Sequence, residues 1–268
     1  MSVRSCFTTL PGFYSVYTAV YEPIPTSESE SPEMPVILFQ PLFEERKNAK
    51  RALFCFTEIL TKKKYRVFSF DYPNTGESLN DGNPIDLEKI FLASLAFSKS
   101  CIQRSHHRDI MLLGLRFGAS IAARVARQLS DDDDTLRVTL LLISPVMSGN
   151  VYSRQIKQRR VLRHSISTGN AQTSSSFEND YDGYLISDFT FNSFNNFDIL
   201  NTLRGFKTTP SILLLNVGHK NNSDDPLAAA FSDIPGVIKT VAFRFPPFWE
   251  RIGDVDLSPL CTQFEQFL

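Results

Sequence analysis

Gly114, Leu115, Arg116, Phe117 and Gly118 have the spacing of a turn that presents a nucleophile. An apolar run, Ile110 to Leu113, leads into them, and an alanine-rich, helix-favouring segment leads out. Glycine at the first and fifth positions lets a strand reverse sharply into a helix, because a Cβ at either would meet the other element. The central side chain of such a turn stands clear of the sheet, beside the free N–H groups of a helix N-terminus. A serine there attacks carbonyl carbon. Here the central residue is Arg116, which stays protonated and has no usable lone pair.

Acyl transfer also needs a base and an acid that orients it. In a strand-turn-helix fold of this kind the base is a histidine after the last strand. The last histidine of this chain is His219, and the stretch where the base would fall reads Phe245, Pro246, Pro247, Phe248, Trp249, Glu250. Ser144, closing an apolar run, and His219, after the next one, are the displaced alternatives for a Ser–His pair. Their plainer readings are a turn residue before Pro145 and a polar loop residue. Ser120 lies one helical turn beyond the apex, facing sideways or inward. His106 and His107 precede the apex strand and face away from the site, and His164 belongs to a basic helical segment.

A guanidinium held in a covered pocket needs a partner. Glu44 and Glu45, just after Leu42 in the segment that would supply an oxyanion N–H, are the expected carboxylates for Arg116. One reading is that Arg116 pins this segment to the turn. The other is that Arg116, the Phe117 N–H and the helix N-terminus hold an anionic group: a carboxylate, a phosphate or an acidic sugar. Trp249 with Phe248 would stack on a sugar ring or fill the place of the absent base. Residues 42, 44, 45, 116, 117 and 249 are thus the candidate ligand site. No cofactor and no metal are expected: the acids Asp131 to Asp134 read as a solvated turn.

The elements that position these residues follow from hydropathy. Residues 6 to 24 read as an antiparallel hairpin about Pro11 and Gly12. Apolar runs at 36–39 and 138–143 read as buried strands and those at 66–71, 110–113, 211–217 and 240–245 as further strands, with helices over 49–63, 86–103 and 225–232 and at the C-terminus. Residues 41–48 read as a loop, and Asp86 as a helix N-cap. The alternation implies a doubly wound, mostly parallel α/β sheet. Between two strands, 146–208 changes character: first basic and helical (Arg154, Lys157, Arg159, Arg160, Arg163), then rich in Ser, Thr and Asn, then aromatic. We read it as a lid inserted into a core formed by 1–145 and 209–268.

The chain has 268 residues, 42% of them hydrophobic, with 23 phenylalanines, so it can bury a large core. A net charge of −1 argues against general nucleic-acid binding, and no apolar run is long enough to span a bilayer. The N-terminus lacks a signal-peptide core. Cys6, Cys55, Cys101 and Cys261 have neither framework nor zinc spacing, so reduced thiols and a cytoplasmic setting are expected.

The order of hairpin, apolar strand, Asp71-to-Ser78 turn, glycine-framed apex, inserted segment and final strand is similar to the α/β-hydrolase superfamily. Gln40 to Asn48, Gly114 to Ala119, Ser144 to Gly149, Tyr181 to Ser187 and Pro246 to Trp249 resemble the hydrolase-like proteins associated with the exosortase system of exopolysaccharide gene clusters, and in particular a branch with arginine at the apex. The resemblance implies an α/β-hydrolase fold and, with the serine and histidine lacking, a protein that binds a small anionic ligand or a pathway protein. An active serine hydrolase using displaced residues, and a protein-interaction scaffold, are the alternatives.

Overall fold

The computed structural model describes residues 1–12, 15–24, 33–79, 82–105, 107–168, 180–181, 184–218, 226–250, 253 and 255–268, without the side chains of 33, 163–168, 180 and 185. The chain opens with the hairpin β1 (Ser2–Thr9) and β2 (Ser15–Glu22), then β3 (Glu33–Phe39), α1 (Phe43–Lys62), β4 (Tyr65–Phe70) and α2 (Leu87–Ser105). The apex strand β5 (Asp109–Leu115) runs into α3 (Phe117–Asp132), followed by β6 (Arg137–Ile143). An insertion holds α4 (Gly149–Thr168), the two-residue strands β7 (Asp180–Tyr181) and β8 (Tyr184–Leu185), α5 (Asp188–Ser193) and α6 (Ile199–Arg204). The chain closes with β9 (Ser211–Gly218), α7 (Pro226–Phe231), β10 (Val237–Arg244) and α8 (Ser258–Phe267).

Eight strands form one sheet in the order β1-β2-β4-β3-β5-β6-β9-β10. The hairpin joins antiparallel, β2 against β4, and the pairs from β4 onward are parallel. The buried strands are the continuous apolar runs, as parallel strands covered on both faces must be. One face carries α2, α3 and the insertion, with Phe70, Phe97, Phe117 and Tyr152 in its core. The other carries α1 and α8, where Phe56 and Phe264 stack at 4.1 Å. Asp86 does cap α2: its carboxylate accepts from the Glu88 N–H at 2.9 Å. No helix among the described residues is long and apolar enough to cross a membrane.

Three expectations need correcting. The helix read from 49 begins at Phe43, so the supposed loop of 41–48 is mostly its first two turns. Charged residues there (Glu44 to Lys47) mask the helical period, yet acids in a first turn suit the helix dipole. The hairpin starts at Ser2, ahead of residue 6. Cys55 and Cys261 are disulfide-bonded rather than reduced, 206 residues apart in sequence, because α1 and α8 pack side by side. Sequence spacing cannot show such a pairing. Cys6 is free and exposed, and Cys101 is free and buried.

Candidate functional site

Arg116 has φ 55° and ψ −124°, a left-handed backbone that a non-glycine residue adopts only when its surroundings impose it. They do. The Arg116 N–H donates to the Ile143 carbonyl at 3.0 Å, and its own carbonyl accepts from the Ala119 N–H at 3.0 Å. A Cβ on Gly114 would lie 2.4 Å from the Ala119 Cα, and one on Gly118 would lie 2.3 Å from the Phe39 carbonyl oxygen. The two glycines let helix and strand meet, and the arginine crowns the meeting point.

Its guanidinium is enclosed. The side chain is 13% exposed, and its partner Glu45 only 1%. Arg116 Nη2 donates to Glu45 Oε1 at 3.5 Å, Nε lies 3.4 Å from Oε2, and Nη1 donates to the Ser144 carbonyl at 3.2 Å. The Trp249 ring covers the guanidinium with its centroid 4.8 Å from Cζ, a cation–π contact. Glu45 thus supplies the carboxylate, and Glu44 lines the space next to it.

Two further groups come from the insertion. Arg159 Nη2 donates to Glu45 Oε1 at 3.0 Å, and the Tyr152 hydroxyl donates to Oε2 at 3.3 Å. One buried carboxylate therefore joins α1, the apex and α4, with two guanidiniums against it. Burial, and then the Glu45 charge, push the Tyr152 hydroxyl far above its ordinary pKa, so it remains a donor. Burial is the largest single influence on Arg159 and works against its charge, but the Glu45 charge and hydrogen bond, with smaller contributions from Tyr152 and Glu250, together exceed it and raise its pKa. The sequence reading assigned no role to Tyr152 and took Arg159 only as one cation of a basic helical segment. Tyr152, Ile156 and Arg159 lie four and three residues apart, one inward-facing stripe of α4 in which Tyr152 and Ile156 are buried and Arg159 partly so.

Arg116 Nε and Trp249 Nε1 are both buried without a hydrogen-bond partner among the described residues. Trp249 itself is 4% exposed, held by Asn48 Nδ2, which donates to its carbonyl at 3.1 Å, and by Phe248, which meets it edge-on. The segment that would carry a base thus presents packed aromatics. The cavity beside Glu45, bounded by Tyr152, Ile156, Arg159 and Ile186, is about 10 Å³, the room of one water at most.

Ser144 is at the strand end as expected, with φ 42° and 4% exposure. Its Oγ accepts from the Val217 N–H at 2.8 Å and lies 3.3 Å from the Val217 carbonyl, so the hydroxyl is committed to linking β6 to β9. Ser120 Oγ likewise donates to the Val146 carbonyl at 3.0 Å. His219 and His106 lie outside the described residues, as does the side chain of His164. His107 precedes β5, at the opposite edge from the apex. Leu42 is buried ahead of α1 and the Phe117 ring is buried among Tyr152, Phe194 and Phe197, so neither offers a polar side chain. Asp131, Asp132 and Asp133 turn to Lys207, Lys99 and Arg108 respectively, and no cluster that could hold a metal occurs among the described residues.

No family profile matches the chain, and no curated protein matches it in sequence. Solved structures do match over nearly its whole length. Est1E from Butyrivibrio proteoclasticus, solved with ferulic acid bound, is 14% identical with a TM-score of 0.62, covering 94% of each chain. An esterase from Pyrococcus furiosus is 13% identical with a TM-score of 0.63, over 99% of this chain and 89% of that one. The esterase of Exiguobacterium antarcticum is 14% identical with a TM-score of 0.60, over 98% and 97%. The chain has the α/β-hydrolase fold, with a mostly parallel eight-stranded sheet and an antiparallel first hairpin.

Proposed function

We propose that this chain is a non-catalytic α/β-hydrolase-fold protein that works by binding, and that its apex takes a small oxyanion where esterases of the fold carry their nucleophile. Unmatched donors carry the reading: Arg116 Nε and the Trp249 indole N–H are buried without an acceptor among the described residues, beside the two guanidiniums and the Tyr152 hydroxyl that meet Glu45, with Glu44 as a second carboxylate lining the space. A carboxylate, a phosphate or the acid group of a sugar supplies the acceptors this arrangement lacks. With a cavity of only about 10 Å³, the ligand enters by displacing Glu45 or lifting α4. The exopolysaccharide setting, and a pathway protein as the alternative partner, rest on the resemblance of Gln40 to Asn48 and the other stretches named above.

Thermal shift with acetate, phosphate and glucuronate tests the binding. Stabilisation that disappears in Arg116→Ala is expected; a shift that survives that substitution ends the anion reading. Labelling with a fluorophosphonate probe tests the other half. No serine of the wild type is expected to react, and covalent labelling of Ser144 would restore the displaced-residue hydrolase. The closed cavity also supports a scaffold in which Arg116 simply ties α1 to the apex. That reading predicts no shift with any of the three anions.

A further inference from the structure

A larger cavity lies away from the apex, on the α1 face of the sheet: a groove of about 1080 Å³ between the first hairpin and α1. Its floor is the alternate-residue face of the hairpin, where Val3 pairs with Tyr21 and Ser5 with Ala19, and where Tyr17 leads on to the exposed Phe7. Its wall is one stripe of α1, with Lys47, Lys50 and Phe54 exposed at spacings of three and four. Helix α1 reaches β2, whereas β1 is exposed along nearly its whole length, as an antiparallel edge with one face to water can be. Apolar residues left exposed beside a groove mark a surface built for contact.

Charge identifies the occupant. At the head of the groove Arg46 is tied to Asp71 and Gln40. Lys47 and Lys50 have no acidic partner among the described residues. Glu77 and Glu58 stand at the two ends, so positive charge is concentrated at the centre of the wall, above an apolar floor. From Lys47 to Glu58 the helix rises about 16 Å, at 1.5 Å per residue. That matches roughly five residues of extended chain. Ser5 brings a hydroxyl to the floor, while Thr57 donates to the Leu53 carbonyl and Gln40 is hydrogen-bonded to Ser69, Phe70 and Asp71. The Phe7 and Tyr17 rings meet edge-on at 71° and so form no flat platform for a sugar.

We propose that this groove docks an extended acidic peptide segment of a partner protein, with apolar side chains set on the hairpin face and carboxylates against Lys47 and Lys50. The probe is a fluorescein-labelled octapeptide alternating glutamate with leucine and phenylalanine, read by anisotropy on the full chain. Saturable binding is expected at low salt, and weaker binding where the Debye length falls below about 8 Å. The Lys47→Glu/Lys50→Glu variant is expected to lose at least about tenfold in affinity, equivalent to about 1.4 kcal/mol. Phe54→Ala is expected to lose several-fold, and both variants keep the wild-type melting temperature, since the three side chains are exposed. Arg116→Ala, which breaks the apex site, leaves peptide binding unchanged. Failure of the octapeptide to bind overturns the proposal, as does equal binding by its lysine-for-glutamate counterpart or by the charge-reversed variant. Binding of polygalacturonate or of phosphatidylglycerol vesicles in the peptide's place also overturns it and assigns the groove to that class.

Discussion

Two groups of cations in the molecule are treated in opposite ways. At the apex, Arg116 and Arg159 converge on a carboxylate that is 1% exposed, under an indole ring and against a cavity of about 10 Å³. In the lateral groove, Lys47 and Lys50 face a space of about 1080 Å³ with no acid against them among the described residues. The glutamate and the lysines share one helix. Glu45 points toward the apex and Lys47 toward the groove, since residues two apart on a helix face different ways. In the enclosed place, charge is structural: each group depends on the others because none can turn to water. In the open place it contributes little to stability and is free for a partner.

Removing the shared carboxylate breaks this contrast most severely. Glu45→Ala leaves two guanidiniums without their counter-ion, and breaking a buried pair costs about 3–5 kcal/mol. Urea denaturation is expected to show a midpoint lowered accordingly, with formate restoring part of the loss. Next comes the turn itself. Gly118→Ala drives a methyl group into the Phe39 carbonyl, 2.3 Å from the new Cβ, and is expected to cost about 2–3 kcal/mol by the same measurement. By comparison, replacing Lys47 and Lys50 together with alanine should change stability by less than about 0.5 kcal/mol each. A loss comparable to that of Glu45→Ala would erase the distinction between the two regions. The smallest effect concerns the thiols. Hydrogen bonds from Thr18 and Thr8 lower the Cys6 pKa, whereas burial raises that of Cys101. As pH rises, Cys6 becomes a thiolate at a lower pH than an ordinary thiol. Iodoacetamide should therefore modify Cys6 first, and Cys101 only after unfolding.

How far the sequence foretold this depended on whether a feature is local. The apex could be read because its two glycines and apolar flanks lie within ten residues of each other. The parallel strands could be read because burial on both faces leaves continuous apolar runs, as at Val138 to Ile143. The start of α1 could not, since Glu44, Glu45, Arg46 and Lys47 disguise a helix whose buried residues begin at Phe43 and Glu45. The Glu45 pairing was legible as a need of Arg116. Its other half was obscured: Arg159 is 43 positions beyond Arg116 in a run of cations, and only the Tyr152–Ile156–Arg159 stripe sets it apart. The groove leaves no sequence signature at all, because an uncovered sheet face results from where helices do not pack.

The bond between Cys55 and Cys261 has a consequence for any experiment that cuts the chain. It encircles the apex, the insertion and five of the eight strands of the main sheet within a single covalent ring. A protease nick anywhere inside that ring yields two fragments that migrate as one species until a reductant is added. A digest analysed without reductant would therefore report an intact protein, and the missed cut would surface only in the reduced lane.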